Sequence, residues 1–537
     1  MTRKSTYAML LAIMCISLLT RYPRVPHGIG VDSYLFALLS ASIVNQGRAA
    51  WLVHPLSPFG LYPLSYPSGS FFLTADLSLV ADIKVEVSSL LLSNFVGVVG
   101  VLAGFLLGRE VSRRDSVAIT VAMLFSLMPK FVTNTLWEVP ARGLLMLMTP
   151  LFLVAVLRAI RTRRMVDISL ILVTSALMTL FHRLAVVILI VFFAFLIALV
   201  FIVAAQVIRV RLPTMFMSPR FKRMSRRLNL VTYGGVLVLV LVTSGVLDAY
   251  QQGAYFSNES FWGPIGNLLI SITRSVGFLS PLAVLGIAAI IRARNKSPAQ
   301  YLFLTAPIAL IPTLFLRDYT GYYLVTFFAL FIGLGLSFLV MRIPRRLQLV
   351  STCLLGAMVV SSAVFAINIE LPHQTYMTDS EYTSALYARQ HVTGTIASND
   401  GLLGARVASV SQGPLLPIGG ATTAQYGPDA MAFGFVTDFP VRPIPVWDLT
   451  IDSDSFFDPL GVTVGSDWSV LLSNHISGQT EAIATRYHIT TLLEDTRQPA
   501  TYYTGWGVEY DSPFLHDVYV TRYKTFETDS IRLWQIG

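Results

Sequence analysis

Long apolar runs separated by short basic clusters are the feature of this sequence that most limits its fold. Each run is about 17–25 residues long, the length that an α-helix needs to cross the hydrocarbon core of a bilayer. Hydrophobic residues make up 54% of the 537 residues and charged residues 13%, which excludes an ordinary soluble domain of this size. The prediction is a polytopic α-helical membrane protein with eleven transmembrane helices, at about 4–20, 89–108, 116–134, 142–160, 166–182, 184–207, 229–248, 275–292, 299–316, 321–341 and 347–367.

The basic clusters set the predicted orientation in the membrane. They fall at alternate ends of the apolar runs, so they all lie on one side, which is the cytoplasm by the positive-inside rule. We therefore predict a multi-pass protein of the plasma membrane with a cytoplasmic N-terminus and a first helix that is retained as an anchor. Because topology accounts for the positive charge, we expect membrane lipids and no nucleic acid as partners. The clusters are Arg3/Lys4, "REVSRR", "RAIRTRR", "RVRLPTMFMSPRFKRMSRR", "RARNK" and "RIPRR".

Charge and hydropathy both change near residue 368. Residues 1–367 contain the apolar runs and an excess of basic residues, whereas residues 368–537 have an excess of acidic residues and frequent turn signals. We predict a transmembrane domain over 1–367 and an extracytoplasmic α/β domain over 368–537. In the second domain, "SEYTSALYARQHV" predicts a helix and "SGQTEAIATRYHITTLLED" a helix then a strand. The segments "GTIASND" and "GARVASVSQ" predict strand and turn, and "DVYVTRYKTFETDSIRLWQI" predicts two strands.

The longest predicted outer loop before the C-terminal domain is the first, residues 21–88. Apolar residues at helical spacing in 32–46 and 69–82 predict two amphipathic helices that lie along the membrane interface. The stretch between them, "WLVHPLSPFGLYPLSYPSG", is rich in proline, glycine and aromatic residues. Tryptophan and tyrosine are favoured at the level of the lipid headgroups, where we place this stretch.

Ionisable residues gather in the predicted outer loops, where charges close to a membrane core are costly and often functional. Two acids on separate loops, Asp32 and Glu138, would suit a divalent metal such as Mg²⁺ or Mn²⁺, or would take a proton from an acceptor. Structural roles explain them equally at this point. Asp32 would cap a helix, and Glu138 would pair with Arg142 across the helix start at Pro140. Basic and imidazole groups in the same loops, which would hold a phosphate, include His54, Arg142, His182 and Arg317.

The order of these features resembles the GT-C class of polyprenyl-phosphate-dependent membrane glycosyltransferases. That class includes the protein mannosyltransferases, the aminoarabinose transferase and the catalytic subunits of oligosaccharyltransferase. The resemblance covers most of the chain, and the last segments are similar to the closing strands of archaeal and bacterial members. The residues that carry it are "GVDSYLFALLSASIVNQG" with "HPLSPFGLYPLSYPSG", "NTLWEVPARGLLMLMTPLFLVAVLRAI", "LFHRLAV", "LRDYTGYYLVTFFALFIGLGL" and "ATRYHITTLLED" with "RYKTFETDSIRLWQI".

The resemblance implies roles for individual residues. Asp32 matches the first-loop acid, a general base or metal ligand, and Glu138 matches the second-loop acid, which is often its metal partner. Arg317 matches a late-loop arginine that contacts the lipid phosphate, and His182, Arg142 and His54 are further candidates for the donor pocket. The implied function is transfer of a sugar from a polyprenyl-phosphate donor to a glycan, lipid or protein acceptor on the outer face.

Two departures from the class limit this implication. The WWDYG motif of oligosaccharyltransferases is absent, which puts transfer of a whole oligosaccharide to asparagine in doubt. Asp32 is followed by Ser33, so the adjacent acid pair of protein mannosyltransferases is missing too. A non-catalytic scaffold for surface-glycan assembly and a receptor with an acidic exterior domain both stay open. A secondary transporter is disfavoured, because no internal repeat is visible and the charges lie at the outer tips.

Overall fold

The computed structural model describes most of the chain apart from several internal stretches. His54, Arg317, most of the predicted run 184–207 and all of the run 229–248 lie outside the described residues, and so does the side chain of Asp32. The described residues are 2–30, 32–47, 69–182, isolated positions between 185 and 196, 272–292, 297–310, 321–340, 342–373, 376–411, 478–486, 488–497, 501–503, 509–511 and 513–536.

A helical bundle forms the larger part of the described structure. Its helices alternate in direction, as expected for apolar helices joined by short connections. A short 3₁₀ turn, Ser280–Leu282, precedes the ninth helix. The bundle helices are α1 Arg3–Thr20, α2 Asp32–Gln46, α3 Gly69–Ala81, α4 Val85–Ser112, α5 Asp115–Leu127, α6 Pro129–Thr133, α7 Ala141–Thr162, α8 Met165–Phe181, α9 Ala283–Arg292, α10 Pro298–Leu310, α11 Gly321–Val340 and α12 Arg345–His373.

Four helical stretches within the described residues are long and apolar enough to cross a membrane. They are Val85–Ser112, Ala141–Thr162, Gly321–Val340 and Val350–Asn368. Shorter apolar helices pack beside them, including Asp115–Leu127, Met165–Phe181 and Ser280–Arg292. The structure is that of a membrane helical protein, and the number of eleven spans stays a prediction.

Small residues allow α4 and α5 to approach closely. A methyl group added to Gly104 would lie 3.0 Å from Cα of Ala122, and one added to Gly108 would lie 2.8 Å from Cα of Ala118. Close packing of this kind is a principal source of helix association in a bilayer, where lipid tails are as apolar as the side chains. Gly104 and Gly108 therefore mark the face of α4 that contacts α5.

Ion pairs at one end of the bundle link two of the basic clusters. The Arg161 guanidinium lies 2.7 Å from the Glu110 carboxylate, which joins the C-terminal ends of α7 and α4. Arg158 pairs with the buried carboxylate of Asp167 at 3.2 Å, where α8 begins. The clusters "REVSRR" and "RAIRTRR" thus lie at the same end, as the alternation in the sequence requires. We call this the basic end, and the opposite end the sheet end.

A unit built on a four-stranded sheet follows α12, and we call it the sheet unit. Its strand order is β1-β2-β6-β5, with β1 and β2 parallel and the other pairs antiparallel. A separate hairpin pairs β3 with β4. The elements are α13 Asp379–His391, β1 Thr395–Ser398, α14 Gly401–Ser411, α15 Gly478–Arg486, β2 Ile489–Asp495, β3 Thr501–Tyr503, β4 Glu509–Asp511, α16 Pro513–Thr521, β5 Lys524–Glu527 and β6 Ile531–Gln535.

Two segments of the sheet unit differ from their predicted structure. The strand-and-turn prediction for "GARVASVSQ" is wrong, because Gly401–Ser411 is a helix that buries Leu403 and Val407 one turn apart. The two strands predicted in "DVYVTRYKTFETDSIRLWQI" are present as β5 and β6, but the first begins only at Lys524, since Pro513–Thr521 is helical and buries Phe514 and Val518 at the same spacing. In both cases the i, i+4 apolar pair outweighs the local β-propensity.

The two helices predicted in the first loop are present as α2 and α3. Leu38 is buried in one cluster with Ala385, Leu403 and Leu493 of the sheet unit. Phe36 packs against Phe71 of α3, with ring centroids 4.9 Å apart. α2 is therefore packed between the bundle and the sheet unit, with its apolar residues facing in two directions, and its position along a membrane interface stays a prediction.

Candidate functional site

Two loop segments at the sheet end run beside each other. The backbone N–H of Ile29 donates to the carbonyl of Trp137 at 2.8 Å, and the backbone N–H of Val139 donates to Oγ of Ser33 at 2.9 Å. Gly30 turns the chain between these two hydrogen bonds. Its φ is +100°, a backbone conformation that residues other than glycine rarely adopt. The start of the first loop is thereby fixed against the tip that precedes α7.

This junction brings the two predicted acids to one place. Asp32 is the first residue of α2, directly before Ser33. Glu138 precedes Val139 and is 9% exposed, and its Oε2 lies 3.3 Å from where a Cβ on Gly30 would be. The Glu138 carbonyl accepts a hydrogen bond from Oγ of Ser93 at 2.7 Å, which ties the tip to α4. The Glu138 carboxylate therefore faces the turn that leads into Asp32.

Arg21 holds the same tip from the opposite side. It is fully buried, and it donates to the Thr135 hydroxyl at 2.8 Å, to the Ser126 carbonyl at 3.0 Å and to Oγ of Ser17 at 2.7 Å. Its guanidinium lies 5.3 Å from the ring centroid of Phe131. A buried guanidinium must be satisfied by hydrogen bonds, and here neutral oxygens satisfy it. Arg21 thus anchors the tip to α1 and α5.

Two cations share one aromatic ring at the sheet end. Nζ of Lys130 lies 4.8 Å from the ring centroid of Tyr322, and Cζ of Arg142 lies 6.0 Å from it. Both basic residues are half-buried, and Arg142 belongs to the first turn of α7. Tyr322 belongs to the first turn of α11, directly after the undescribed stretch that contains Arg317. Cation–π contact keeps two positive charges near each other and near the junction.

Sequence reasoning counted Lys130 among the ionisable residues of the outer loops but did not assign it to the donor pocket, and it did not select Tyr322. Lys130 lies in the short helix α6, whose Pro129 start separates it from α5. The sequence did contain a signal for Lys130. A lysine charge next to apolar membrane runs costs free energy unless the side chain has a partner or a function. Tyr322 gave no such signal, because tyrosine is common at the ends of membrane helices.

His182 lies at the end of α8, where it is fully buried. Its neighbour Leu180 touches α3, because a Cβ on Gly69 would lie 2.5 Å from Cγ of Leu180. Phe71 of α3 belongs in turn to one buried cluster with Val139. His182 is thus placed beside the first loop and one packing layer away from the junction.

The two acids offer a limited set of donors for a metal. Within the part of the chain that the structure describes, no group of three or more His, Cys, Asp or Glu side chains could hold a metal ion. Asp32 and Glu138 supply carboxylate oxygens, the donors that Mg²⁺ prefers when most of its other ligands are waters and substrate phosphate. The donor set therefore fits a hard cation that is completed by substrate, and does not fit a closed structural site.

His27 connects the start of the first loop to both parts of the molecule. Its Nδ1 lies 3.1 Å from Oε1 of Glu86 at the start of α4, and its Nε2 lies 3.5 Å from Oδ1 of Asp379 in the sheet unit. The imidazole stacks on Tyr382 with centroids 4.0 Å apart. The loop that carries Asp32 is therefore attached to the sheet unit as well as to the bundle.

Several solved protein structures have a fold similar to that of this chain. One is AglB, the oligosaccharyltransferase of Archaeoglobus fulgidus, in complex with an inhibitory peptide and a dolichol-phosphate. The match covers 91% of this chain and 69% of the AglB chain. The two are 13% identical, with a TM-score of 0.56. Another is ArnT from Cupriavidus metallidurans, bound to undecaprenyl phosphate. The match covers 99% of this chain and 97% of the ArnT chain, with 13% identity and a TM-score of 0.52.

The chain has the fold of the GT-C glycosyltransferases. The arabinofuranosyltransferase AftD from Mycobacteria matches 100% of this chain and 42% of its own at 14% identity, with a TM-score of 0.51. No family model and no curated protein sequence matches the chain. At 12–14% identity the likeness establishes the GT-C fold and a multi-pass membrane protein, and confirms the family resemblance drawn from the sequence.

One neighbour with the GT-C fold contains a metal. The Archaeoglobus fulgidus oligosaccharyltransferase was solved in complex with Zn and sulfate, at 14% identity and a TM-score of 0.57. The match covers 92% of this chain and 68% of that chain. A GT-C fold is thus compatible with a divalent cation.

Proposed function

We propose that this chain is an integral membrane glycosyltransferase that transfers a sugar from a polyprenyl-phosphate donor to a glycan, lipid or protein acceptor on the outer face of the membrane. The observation that carries the proposal is the junction of the Gly28–Ser33 and Trp137–Val139 segments. In the proposed site, Asp32 and Glu138 would act together at this junction, and Lys130 and Arg142, which share contact with Tyr322, would bind the phosphate. The GT-C neighbours bound to dolichol-phosphate and undecaprenyl phosphate support the class of donor.

The proposal includes an orientation. The sheet end would face the outside and the basic end the cytoplasm, because lysine and arginine in short loops are retained on the cytoplasmic side. Residues 1–367 would then be the transmembrane domain, with eleven spans, and residues 368–537 the extracytoplasmic domain. Since nucleotides are scarce outside the cell, a lipid-linked sugar is the donor that such a site can reach.

The acids would act on the acceptor. In the proposed step, the acceptor oxygen bonds to the sugar carbon while the bond from that carbon to the donor phosphate oxygen breaks, and Asp32 takes the acceptor proton. A direct displacement of this kind inverts the sugar carbon. Asp32 and Glu138 would hold a divalent cation, which when bound offsets negative charge on the departing phosphate. Glu138, held by Ser93 and the Gly30 turn, would keep its position throughout.

The cations would bind the donor phosphate. Lys130 and Arg142 stand together over Tyr322. The family resemblance would add Arg317, His54 and His182 to the proposed donor pocket. Lysine and arginine aimed at a leaving phosphate stabilise charge that grows as the sugar departs. Their effect should therefore appear both in donor binding and in the rate of transfer.

Sugar transfer by the purified full-length protein tests the proposal. The protein would be reconstituted in nanodiscs with a panel of radiolabelled dolichyl- and undecaprenyl-phosphate sugars, and native membranes would supply acceptors. We expect transfer from one class of donor, and loss of transfer in the Lys130→Gln/Arg142→Gln double variant. Assays with EDTA and with added Mg²⁺ or Mn²⁺ test the metal separately. Absence of transfer from every donor would contradict the proposal and favour a non-catalytic scaffold.

A further inference from the structure

We propose that Tyr34 is a positioning residue, through which the sheet unit fixes the first turn of α2, the turn that begins with Asp32. This inference rests on the proposed function, because it assigns Asp32 to the reaction. It assigns the sheet unit a part in the chemistry that is distinct from acceptor recognition: the sheet unit holds the catalytic helix in place from outside the bundle.

The Tyr34 hydroxyl connects two separate parts of the chain. It donates to the carbonyl of Gly28 in the loop entry and accepts from the backbone N–H of Met377 at 2.7 Å. The side chain is buried, and burial raises the pKa of Tyr34 well above its ordinary value. The hydroxyl therefore stays protonated across physiological pH and keeps its role as a donor to Gly28. One atom thus ties the loop entry, α2 and the sheet unit together.

A buried ion pair supports the ring of Tyr34. Cζ of Arg406 lies 5.7 Å from the ring centroid, and Nη1 of Arg406 lies 2.8 Å from Oε1 of the fully buried Glu381. Glu381 also accepts from the backbone N–H of Thr378 at 2.7 Å, within the capping box that begins α13. Breaking a buried, fully bonded pair is strongly destabilising, so the surface under the ring is rigid.

The contact continues along the same face of α2. Leu38 lies one turn after Tyr34 and is buried among the core residues of the sheet unit. With both positions held, α2 can neither rotate about its axis nor slide along it. Ser33 is bonded to Val139 at the same time, so the first turn of α2 is fixed toward Glu138 as well. A displacement of about 1 Å at a reacting group can cost roughly 100-fold in rate.

The test compares Tyr34→Phe with the control variants Tyr387→Phe and Trp534→Phe, all in the full-length protein in nanodiscs. Tyr34→Phe removes both hydrogen bonds of the hydroxyl and keeps the aromatic ring. We expect kcat to fall about tenfold or more, with KM for the donor changed by less than about twofold, because binding groups stay in place. Tyr387→Phe, which removes a single bond to the Thr525 carbonyl in the same unit, should keep the full rate.

A second pair of variants separates positioning from general stability. Trp534→Phe removes the hydrogen bond from Trp534 of β6 to Glu494 of β2 and should lower Tm without lowering kcat. Glu381→Gln should lower kcat as Tyr34→Phe does, and the double variant should lose no more than the worse single variant, because the two residues act as a unit. If Tyr34→Phe fails to fold, Glu381→Gln alone carries the test.

Two results would overturn the inference. One is full kcat in Tyr34→Phe. The other is a loss of kcat in Trp534→Phe equal to that in Tyr34→Phe at the same loss of Tm, which would leave Tyr34 with a structural role alone. Asp32→Asn is measured in the same series, and a full rate in that variant would contradict the proposed function itself.

Discussion

The hydroxyl oxygen of Ser33 accepts a hydrogen bond from the backbone N–H of Val139, and the two atoms are 2.9 Å apart. These residues are far apart in the sequence, and each directly follows one of the two acids of the candidate site. Both are buried, so no water can replace the bond at low cost. The pair fixes how the first loop and the tip before α7 face each other.

Replacing Ser33 with alanine should weaken transfer. The variant leaves a buried N–H without its acceptor, a cost of about 1–3 kcal/mol, and releases the tip that carries Glu138. We expect a decrease in kcat of several-fold in the nanodisc transfer assay. Ser40→Ala is the matched control, because Oγ of the equally buried Ser40 bonds to Phe36 within the same helix. An equal decrease in both variants would mean that Ser33 acts through helix stability alone.

The two cations on Tyr322 should act mainly on the donor. In Lys130→Gln and in Arg142→Gln we expect KM for the polyprenyl-phosphate sugar to rise and kcat to fall, so that kcat/KM falls by about tenfold or more, since a charged hydrogen bond is worth about 1.5–3 kcal/mol. Arg24→Gln is the control, because Arg24 is exposed and bonds to Asn368 at 3.3 Å. Unchanged donor kinetics in both test variants would place the phosphate elsewhere.

Gly286 should not tolerate a side chain. A Cβ at this position would lie 1.9 Å from the Phe331 carbonyl, because α9 and α11 touch there through their backbones. Gly286→Ala should therefore lower stability by about 1–3 kcal/mol or more, which a thermal melt in detergent would detect as a lower Tm. At Gly356 the nearest atom to an added Cβ is Cε of Met123 at 3.5 Å, an ordinary contact. Gly356→Ala should leave Tm unchanged or raise it.

Glu494 should make the stability of the sheet unit depend on pH. Burial raises the pKa of Glu494, although the Trp534 indole N–H at 2.7 Å and Arg532 oppose the shift. A carboxyl group whose pKa is higher in the folded state binds its proton more tightly there. The free energy of unfolding therefore decreases as pH rises from the pKa of the unfolded state through the pKa of the folded state. Glu494→Gln keeps an acceptor for the indole and removes the charge.

The melting temperature of this variant measures the effect. We expect Glu494→Gln to have a higher Tm than the wild type at neutral pH, with a difference that shrinks as pH falls below the folded pKa of Glu494. A lower Tm at neutral pH would show that the charge of Glu494 is favourable, through Arg532, and that burial is not the dominant influence.

Periodicity and charge in the sequence predicted the outline of this fold. Helical bundle segments, the packed first loop and most elements of the sheet unit agree with the apolar patterns, because those patterns are imposed by burial and by membrane thickness. The structure of "GARVASVSQ" was mispredicted because its alternating small residues have no strong preference for helix or strand. Contact with β1 and α2 stabilises it as a helix. Such tertiary contacts are not visible in a local window of sequence.

The candidate site was predictable only in part for a similar reason. Asp32 and Glu138 stood out as lone acids beside apolar runs, where an unneeded charge is costly. Their proximity depends on a hydrogen bond between Ser33 and Val139, and a serine after an acid carries no sequence signal. The shared contact of Lys130 and Arg142 with Tyr322 likewise depends on how α6, α7 and α11 meet.

Sugar transfer by Asp32→Asn is the most direct test of the central claim, that the acid at the start of α2 performs chemistry. Asparagine keeps the size and the helix-capping ability of aspartate but cannot accept a proton. Asp76→Asn, which changes an exposed acid of α3, controls for charge in the same loop. With equal amounts of folded protein, we predict that Asp32→Asn loses transfer by about 100-fold or more while Asp76→Asn retains it. Full transfer by Asp32→Asn would contradict the account and leave Asp32 as a helix cap.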